Sequence, residues 1–188
     1  MRRRSAFALA AGLAAAGAAV FALATMKPAA KATDDVARPL WTEVRWPFPI
    51  DQWGTGRAFA CKAADCGAEV ALYLRAKLGS CNCTTGVADD ADLDRMSDFD
   101  LLGSEASPLG AGRPITVGSM KGRSRSYLLT ARDRPGKSAI SIAANDRCDM
   151  IVATVVLPHE RPAAIEPTVM DFLNSRSVLH WAEIALGI

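Results

Sequence analysis

Residues 61–83 read CKAADCGAEVALYLRAKLGSCNC. Their centre, Glu69–Leu78, alternates strictly. Val70, Leu72, Leu74, Ala76 and Leu78 fall on one face; Glu69, Ala71, Tyr73, Arg75 and Lys77 fall on the other. A period of two marks a half-buried strand. A helix would throw Leu72 off the stripe formed by Val70, Leu74 and Leu78. Gly56–Cys61 reads as the preceding strand and Ala63–Gly67 as the turn that joins the two.

Working outward toward the C-terminus, TTGVADDADLDRMSDFDLLG (84–103) carries Asp89 or Asp90 as the cap of a short helix. The acids of its first turn suit the positive end of the helix dipole. Asp90, Asp92 and Asp94 also have the x-spacing of a calcium loop. Arg95 stands where that loop needs glycine and Leu101 where it needs glutamate, so capping is the better reading. Strand-like runs follow: PITVGSM (114–120), SRSYLLTA (124–131), SAISIAA (138–144) and CDMIVATVVL (148–157). Pro135-Gly136 suits the centre of a type II turn, and Asn145-Asp146-Arg147 the next turn. The chain closes with Glu166–Leu186, helical in its spacing, and Gly187 as its C-terminal stop. The pattern predicts an α+β fold: an antiparallel β-meander sheet with a short helix and a C-terminal helix packed on it.

Toward the N-terminus, TDDVARPLWTEVRWPFPIDQWGTG (33–56) holds Pro39, Pro47 and Pro49, which forbid a long helix. Trp41, Trp46 and Trp53 lie in it. The segment reads as an extended Pro/Trp-rich arm whose aromatics are pinned onto the domain, in preference to an aromatic platform for glycans. Before it, Arg2, Arg3 and Arg4 precede an uncharged run from Ser5 to Met26, and Ala30-Lys31-Ala32 supplies an A-x-A pattern. A cationic start, an apolar core and a small-residue site make a secretory signal peptide. The reading favours cleavage after Ala32 over an uncleaved membrane anchor, because eleven of the 22 residues in the run are alanine. The organisation expected is a signal peptide over 1–32, the arm over 33–56 and a single α+β domain over 57–188. The location expected is periplasmic or secreted, with membrane contact only through an uncleaved leader.

The leader carries five of the chain's 22 basic residues and no acid, so the mature chain keeps 17 against 20 acids, a net of −3. That removes the overall electrostatic support for nucleic-acid binding. One local cluster remains, Lys121, Arg123, Arg125, Arg132 and Arg134 with Lys137 nearby. It reads as a solvated hairpin face offset by the acidic 89–100 segment, with an anion or partner patch as the sharper alternative.

The cysteines at 61, 66, 81 and 83 have the look of a four-thiolate zinc site. The strand between the pairs argues against it: ten extended residues span about 33 Å, whereas thiolates on one zinc lie within about 4 Å of each other. In an oxidising compartment cysteines pair. Cys61 and Cys66 flank a short turn and suit one bridge. Of Cys81, Cys83 and Cys148, one member of the Cys-Asn-Cys motif is expected to bridge to Cys148 and the other to stay free. The alternative for the surplus thiol is redox exchange or Cu(I) binding by Cys81 and Cys83.

There is no G-x-S-x-G, S-x-x-K, H-E-x-x-H or phosphate-binding glycine loop. Two histidines, His159 and His180, leave few general bases near neutrality. The sequence therefore reads as an exported, non-enzymatic, disulfide-stapled protein that needs no cofactor and binds a protein or envelope partner. The alternatives are a thiol-based redox or copper-handling accessory using Cys81 and Cys83, and an enzyme with an acid-only site drawn from the aspartates at 89–100.

Overall fold

Among the described residues, the apolar run at 150–157 forms the most buried strand. Asp149–Leu157 (called β8 below by chain order) is buried at nearly every position, on both faces. A strand read as alternating would have one wet side; this one is covered twice. The computed structural model describes residues 41–131, 134–158 and 162–188. The expected leader and the first part of the arm, through residue 40, lie outside the described residues, as does His159.

The elements in chain order are β1 (Trp41–Val44), β2 (Arg57–Cys61), α1 (Ala63–Cys66), β3 (Val70–Lys77), α2 (Asp90–Met96), a 3-10 turn (Phe99–Leu102), β4 (Glu105–Pro108), β5 (Arg113–Val117), β6 (Met120–Ala131), β7 (Arg134–Asp146), β8, α3 (Pro162–Leu173) and α4 (Arg176–Leu186). All eight strands join one sheet in the order β1-β2-β3-β8-β7-β6-β4, and β5 shares the far edge with β4. β4 lies against Tyr127–Thr130 and β5 against Met120–Ser124. Every pairing is antiparallel. β5 to β8 form a meander, and β8 then closes against β3. The architecture is an α+β fold.

The two faces have different covers. Val70, Leu72 and Leu74 of β3 share one face with Ile151, Ala153, Val155 and Leu157 of β8 and with Ile140 and Ile142 of β7. The apolar stripes of α3 and α4 close over it with Ile165, Val169, Leu173, Val178, Ala182 and Leu186. On the opposite face α2 seats Leu93 on Ala143, Met150 and Val152. Beside it, Phe99 of the 3-10 turn packs edge-on against Tyr127 at 4.6 Å between ring centres. The sheet is thus the middle of three layers.

Several boundaries differ from the sequence reading, each for a local reason. Ala63–Gly67 is one turn of helix instead of an irregular turn; Gly67 closes it by donating to Ala63 O. PITVGSM is not one strand. Val117 pairs with Met120 across a two-residue loop, and Gly118, at φ 58, takes the left-handed position such loops require. Pro135-Gly136 does not make the β6–β7 turn. Ala131 already pairs with Arg134, so Pro135 and Gly136 lie inside β7 beside a register shift between Leu129 and Ala131. Proline has no N–H to give a ladder, which fits its place at an irregularity. The terminal helix starts at Pro162 and divides at Asn174. There the Asn174 side chain accepts from Gly118 N at 2.8 Å and donates to Met170 O at 2.8 Å, tying the break to the β5–β6 loop. Asp89 caps α2, accepting from Asp92 N at 2.8 Å.

The largest departure lies on β3. Its alternation holds through Leu74, but Arg75 and Lys77 are 2% and 6% exposed while Leu78 is 56% exposed. The face read as polar and wet is interior at this end of the strand.

Candidate functional site

Two disulfides fix the chain near the ends of β3. Cys61 at the end of β2 joins Cys66 of α1, with α-carbons 6.0 Å apart. Cys83 joins Cys148, with α-carbons 4.1 Å apart. Cys148 sits at the tip of the β7–β8 hairpin beside Arg147, whose φ of 51 is left-handed. That conformation is uncommon for a side-chain-bearing residue, and the bridge pins it. Cys81 is a free thiol. Its N–H donates to Cys148 O at 3.2 Å and its Sγ lies 3.3 Å from Arg147 O. Burial pushes the Cys81 thiol above its ordinary range, and the nearby Asp149 and Asp92 add to that. The thiolate is the reactive and metal-binding form, so this environment works against both chemistries. Cys83 is engaged in its bridge, and Cys-Asn-Cys offers no dithiol in this oxidation state.

The basic residues of β6 face the acidic helix. Lys121, Arg123 and Arg125 alternate along the strand on the face that α2 covers. Arg123 Nη2 lies 2.6 Å from Asp90 Oδ1 and 3.0 Å from Gly112 O. Arg125 Nη1 lies 3.0 Å from Asp94 Oδ2. The Gly112 N–H, and then Arg123, hold the Asp90 carboxyl below its usual range. Tyr127 donates to Asp94; burial, and then that carboxylate, raise the phenol. Lys121 is exposed. Arg132 lies outside the described residues, and of Arg134 only the backbone is described.

The arrangement that the sequence reading missed is built on Arg75 and Lys77. Both reach under α2 to one buried carboxylate. Arg75 Nε and Nη2 meet the two oxygens of Asp98 at 3.0 and 2.6 Å, a bidentate fork. Lys77 Nζ lies 2.8 Å from the same Asp98 Oδ1 and 2.7 Å from Met96 O. The side chains of Arg75, Lys77 and Asp98 are 3%, 7% and 7% exposed. Two cations on one carboxylate leave a buried positive excess, and the second anion comes from outside the sheet. Asp51 Oδ2 meets Arg75 Nη1 at 2.6 Å, and the Asp51 side chain is 36% exposed. Burial opposes the charge on Arg75, but the bonds to Asp98 and Asp51 carry its pKa above the ordinary value. The bond to Arg75 holds the Asp51 carboxyl below its own ordinary range.

Asp51 belongs to a tight turn, Asp51–Gly54. Gly54 N donates to Asp51 O at 2.9 Å, and Trp53 N donates to Asp51 Oδ1 at 2.8 Å. One carboxylate oxygen therefore staples the turn while the other holds Arg75. Trp53 stands over Lys77, its ring centre 5.8 Å from Nζ. Between this turn and the end of α2 opens a cleft of about 480 Å3; Asp51, Gln52, Trp53, Arg75, Lys77 and Ser80 line it on one side, and Arg95, Met96, Ser97, Asp98, Asp100 and Leu101 on the other. Beside it, Trp46 and Phe48 pack edge-on against Tyr73. Trp46 also covers Gly56, where an added Cβ would lie 2.6 Å from both the indole and Arg75 Cγ. The Trp46 indole N–H and the Thr154 hydroxyl are buried without a hydrogen-bond partner. Trp41, the third tryptophan of the arm, stacks on Phe172 of α3 at 4.6 Å.

His180, on α4, lies 3.7 Å from Glu183 with its side chain 71% exposed. Among the described residues no group of three or more metal-ligating side chains comes together. No helix among them is long and apolar enough to cross a membrane. No protein-family model matches this sequence, and no curated protein matches it significantly.

Proposed function

We propose that this is an exported, non-enzymatic binding protein of the periplasm or extracellular space. In this reading the two disulfides hold the scaffold, and the cleft beneath the Asp51–Gly54 turn receives a protein or envelope partner. The observation that carries it is the pair of buried cations, Arg75 and Lys77, set at the floor of an open cleft and neutralised on one side by an exposed turn. Buried charge is costly to maintain and offers little net stability over apolar packing. Placing it beneath a cleft, with one counter-ion on an exposed turn, favours recognition over scaffolding. The two bridges support an oxidising compartment. The thiol-accessory alternative is weakened by the raised pKa of Cys81 and by the bridge at Cys83.

The test joins compartment to contact. The full chain, carrying a photoreactive residue at Gln52, is expressed, fractionated, alkylated and irradiated. The expected product begins at Thr33, is recovered outside the cytosol with one alkylated cysteine, Cys81, and cross-links one partner from position 52 but not from Lys121. A cytosolic chain with five alkylated cysteines, or cross-linking equal at both positions, overturns the reading.

A further inference from the structure

Arg75 has five N–H donors in a planar fork. Its Nε–Nη2 side is taken by both oxygens of Asp98. Asp51 bonds the guanidinium once, through Nη1 alone, so the Nη1–Nη2 side has no bidentate partner. The second oxygen of Asp51 accepts the Trp53 N–H that shapes the turn and makes no bond to Arg75. Half of a carboxylate-sized seat on a buried guanidinium is thus filled by a side chain from an exposed turn. A free carboxylate would fill it with two parallel bonds, the arrangement arginine favours. The same turn sets Trp53 as the wall of the adjoining cleft, against Met96 and Leu101. That wall offers an aromatic face to whatever body the carboxylate carries.

From this geometry we infer that the cleft binds a small organic carboxylate, flat or aromatic in its body, with Asp51 as the built-in competitor for Arg75. The inference rests on the binding reading above and names the ligand chemistry of that site. Binding proceeds by exchange: the Asp51–Gly54 turn lifts as a unit, the ligand carboxylate takes the Nη1–Nη2 side of Arg75, and Trp53 settles on the ligand. Charge is conserved in the exchange, so the buried cations are never left with Asp98 alone. The apparent affinity of the wild type is lowered by the fraction of time the turn is closed.

Sodium benzoate is the probe and benzamide its uncharged control. Each is titrated into the nitrogen-15-labelled full chain at constant ionic strength in chloride. The Trp53 indole N–H, assigned with Trp53→Phe, and the Arg75 Nε–H are followed. The expected result is saturable movement of both signals with benzoate and none with benzamide. Asp51→Asn keeps the Oδ1 acceptor for the turn and removes the competing charge. It should tighten benzoate binding about tenfold or more, the gain expected when a seat closed nine-tenths of the time is freed. Equal affinity in wild type and Asp51→Asn overturns the inference, as does movement that chloride or sulfate reproduces, or no saturation in either protein. Arg75→Lys in the Asp51→Asn background keeps the charge and loses the fork, so it should abolish the tightening; if it does not, the guanidinium is not the seat. The wild-type and Asp51→Asn comparison decides the matter independently of how well Arg75→Lys folds. A partner cross-linked from Gln52 without benzoate binding leaves the binding reading standing and removes the carboxylate. Benzoate binding without any cross-linked macromolecule keeps the carboxylate and removes the protein partner.

Discussion

Removing the Cys83–Cys148 bridge isolates one physical effect. The bridge spans 65 residues of chain and encloses α2 and β4 to β7, whereas Cys61–Cys66 spans 5. On the chain-entropy account, closing a loop of that longer length stabilises the fold by about 4 kcal/mol, and the shorter by about 2 kcal/mol. Cys83 is exposed and Cys148 half-buried, so replacing them costs little packing; Cys61 is fully buried, so its loss adds a cavity to the lost loop constraint. Cys83→Ala and Cys148→Ala should each lower Tm by roughly 8–16 °C, taking about 2–4 °C per kcal/mol for a domain of this size. The double mutant should melt with the singles, because all three remove the same bond. Cys81→Ala should be nearly silent. Thermal melts by circular dichroism, repeated with reductant, give the comparison. Reductant should bring the wild type down to or below the Cys83→Ala value. If Cys83→Ala and Cys148→Ala add in the double mutant, or Cys81→Ala costs as much as either, the pairing and its entropic account are both wrong.

Four further outcomes follow from the contacts. Asp98→Asn leaves Arg75 and Lys77 without their shared buried anion, and should cost about 3–5 kcal/mol in urea denaturation; a loss below about 1 kcal/mol refutes the buried cluster. Gly122→Ala drives a methyl into the Ala143 carbonyl oxygen across the β6–β7 ladder. It should destabilise by about 1–3 kcal/mol; a neutral result would mean that the two strands are not that close. Glu43, Asp51 and Asp90 have folded-state pKa values below their ordinary 4.5, 3.8 and 3.8. Their stabilisation is therefore present above those ordinary values and lost as pH falls through the lower folded values, a loss that 1 M salt should reduce because solvent reaches all three groups. Cys81, its thiol pushed up by burial, should react with a disulfide reagent at pH 8 more slowly than free cysteine; a faster reaction would revive the thiol alternative.

What the sequence made legible was whatever depends on neighbours along the chain. The alternation of 69–78 identified β3, and the meander of β5 to β8 followed from successive runs separated by short turns. Asp89 could be named as a cap because its bond to Asp92 N spans only three residues. The turn chemistry was less legible where two signals competed. Pro135-Gly136 is a strong turn pair, yet both residues lie inside β7, because the ladder continues past Leu129 and Lys137 to the pairing of Ala131 with Arg134. The split of the terminal helix was hidden for a related reason: its cause is the Asn174 contact with Gly118, in a loop 56 residues away.

The candidate site was illegible because alternation tells only that the two faces of a strand differ. It does not tell that the polar face is wet. On β3 the face bearing Tyr73, Arg75 and Lys77 is roofed by α2, the turn after it and the arm before it. Nothing in the strand's own residues announces that roof. The carboxylate that makes burial tolerable, Asp98, lies 23 residues downstream of Arg75, in a stretch whose acids read as helix-capping charge. Asp51 lies 24 residues upstream, in a segment that its prolines mark as an extended arm. An arginine and a lysine two apart on a strand, flanked at similar distance on both sides by acidic turns, are together the only local trace of the cluster. The same distances explain why it suits a binding site. Its parts come from three separate stretches of chain, and the one on the outside is a short exposed turn. That turn can leave without unpairing any strand of the sheet, so the cleft can open while the fold beneath it stays intact.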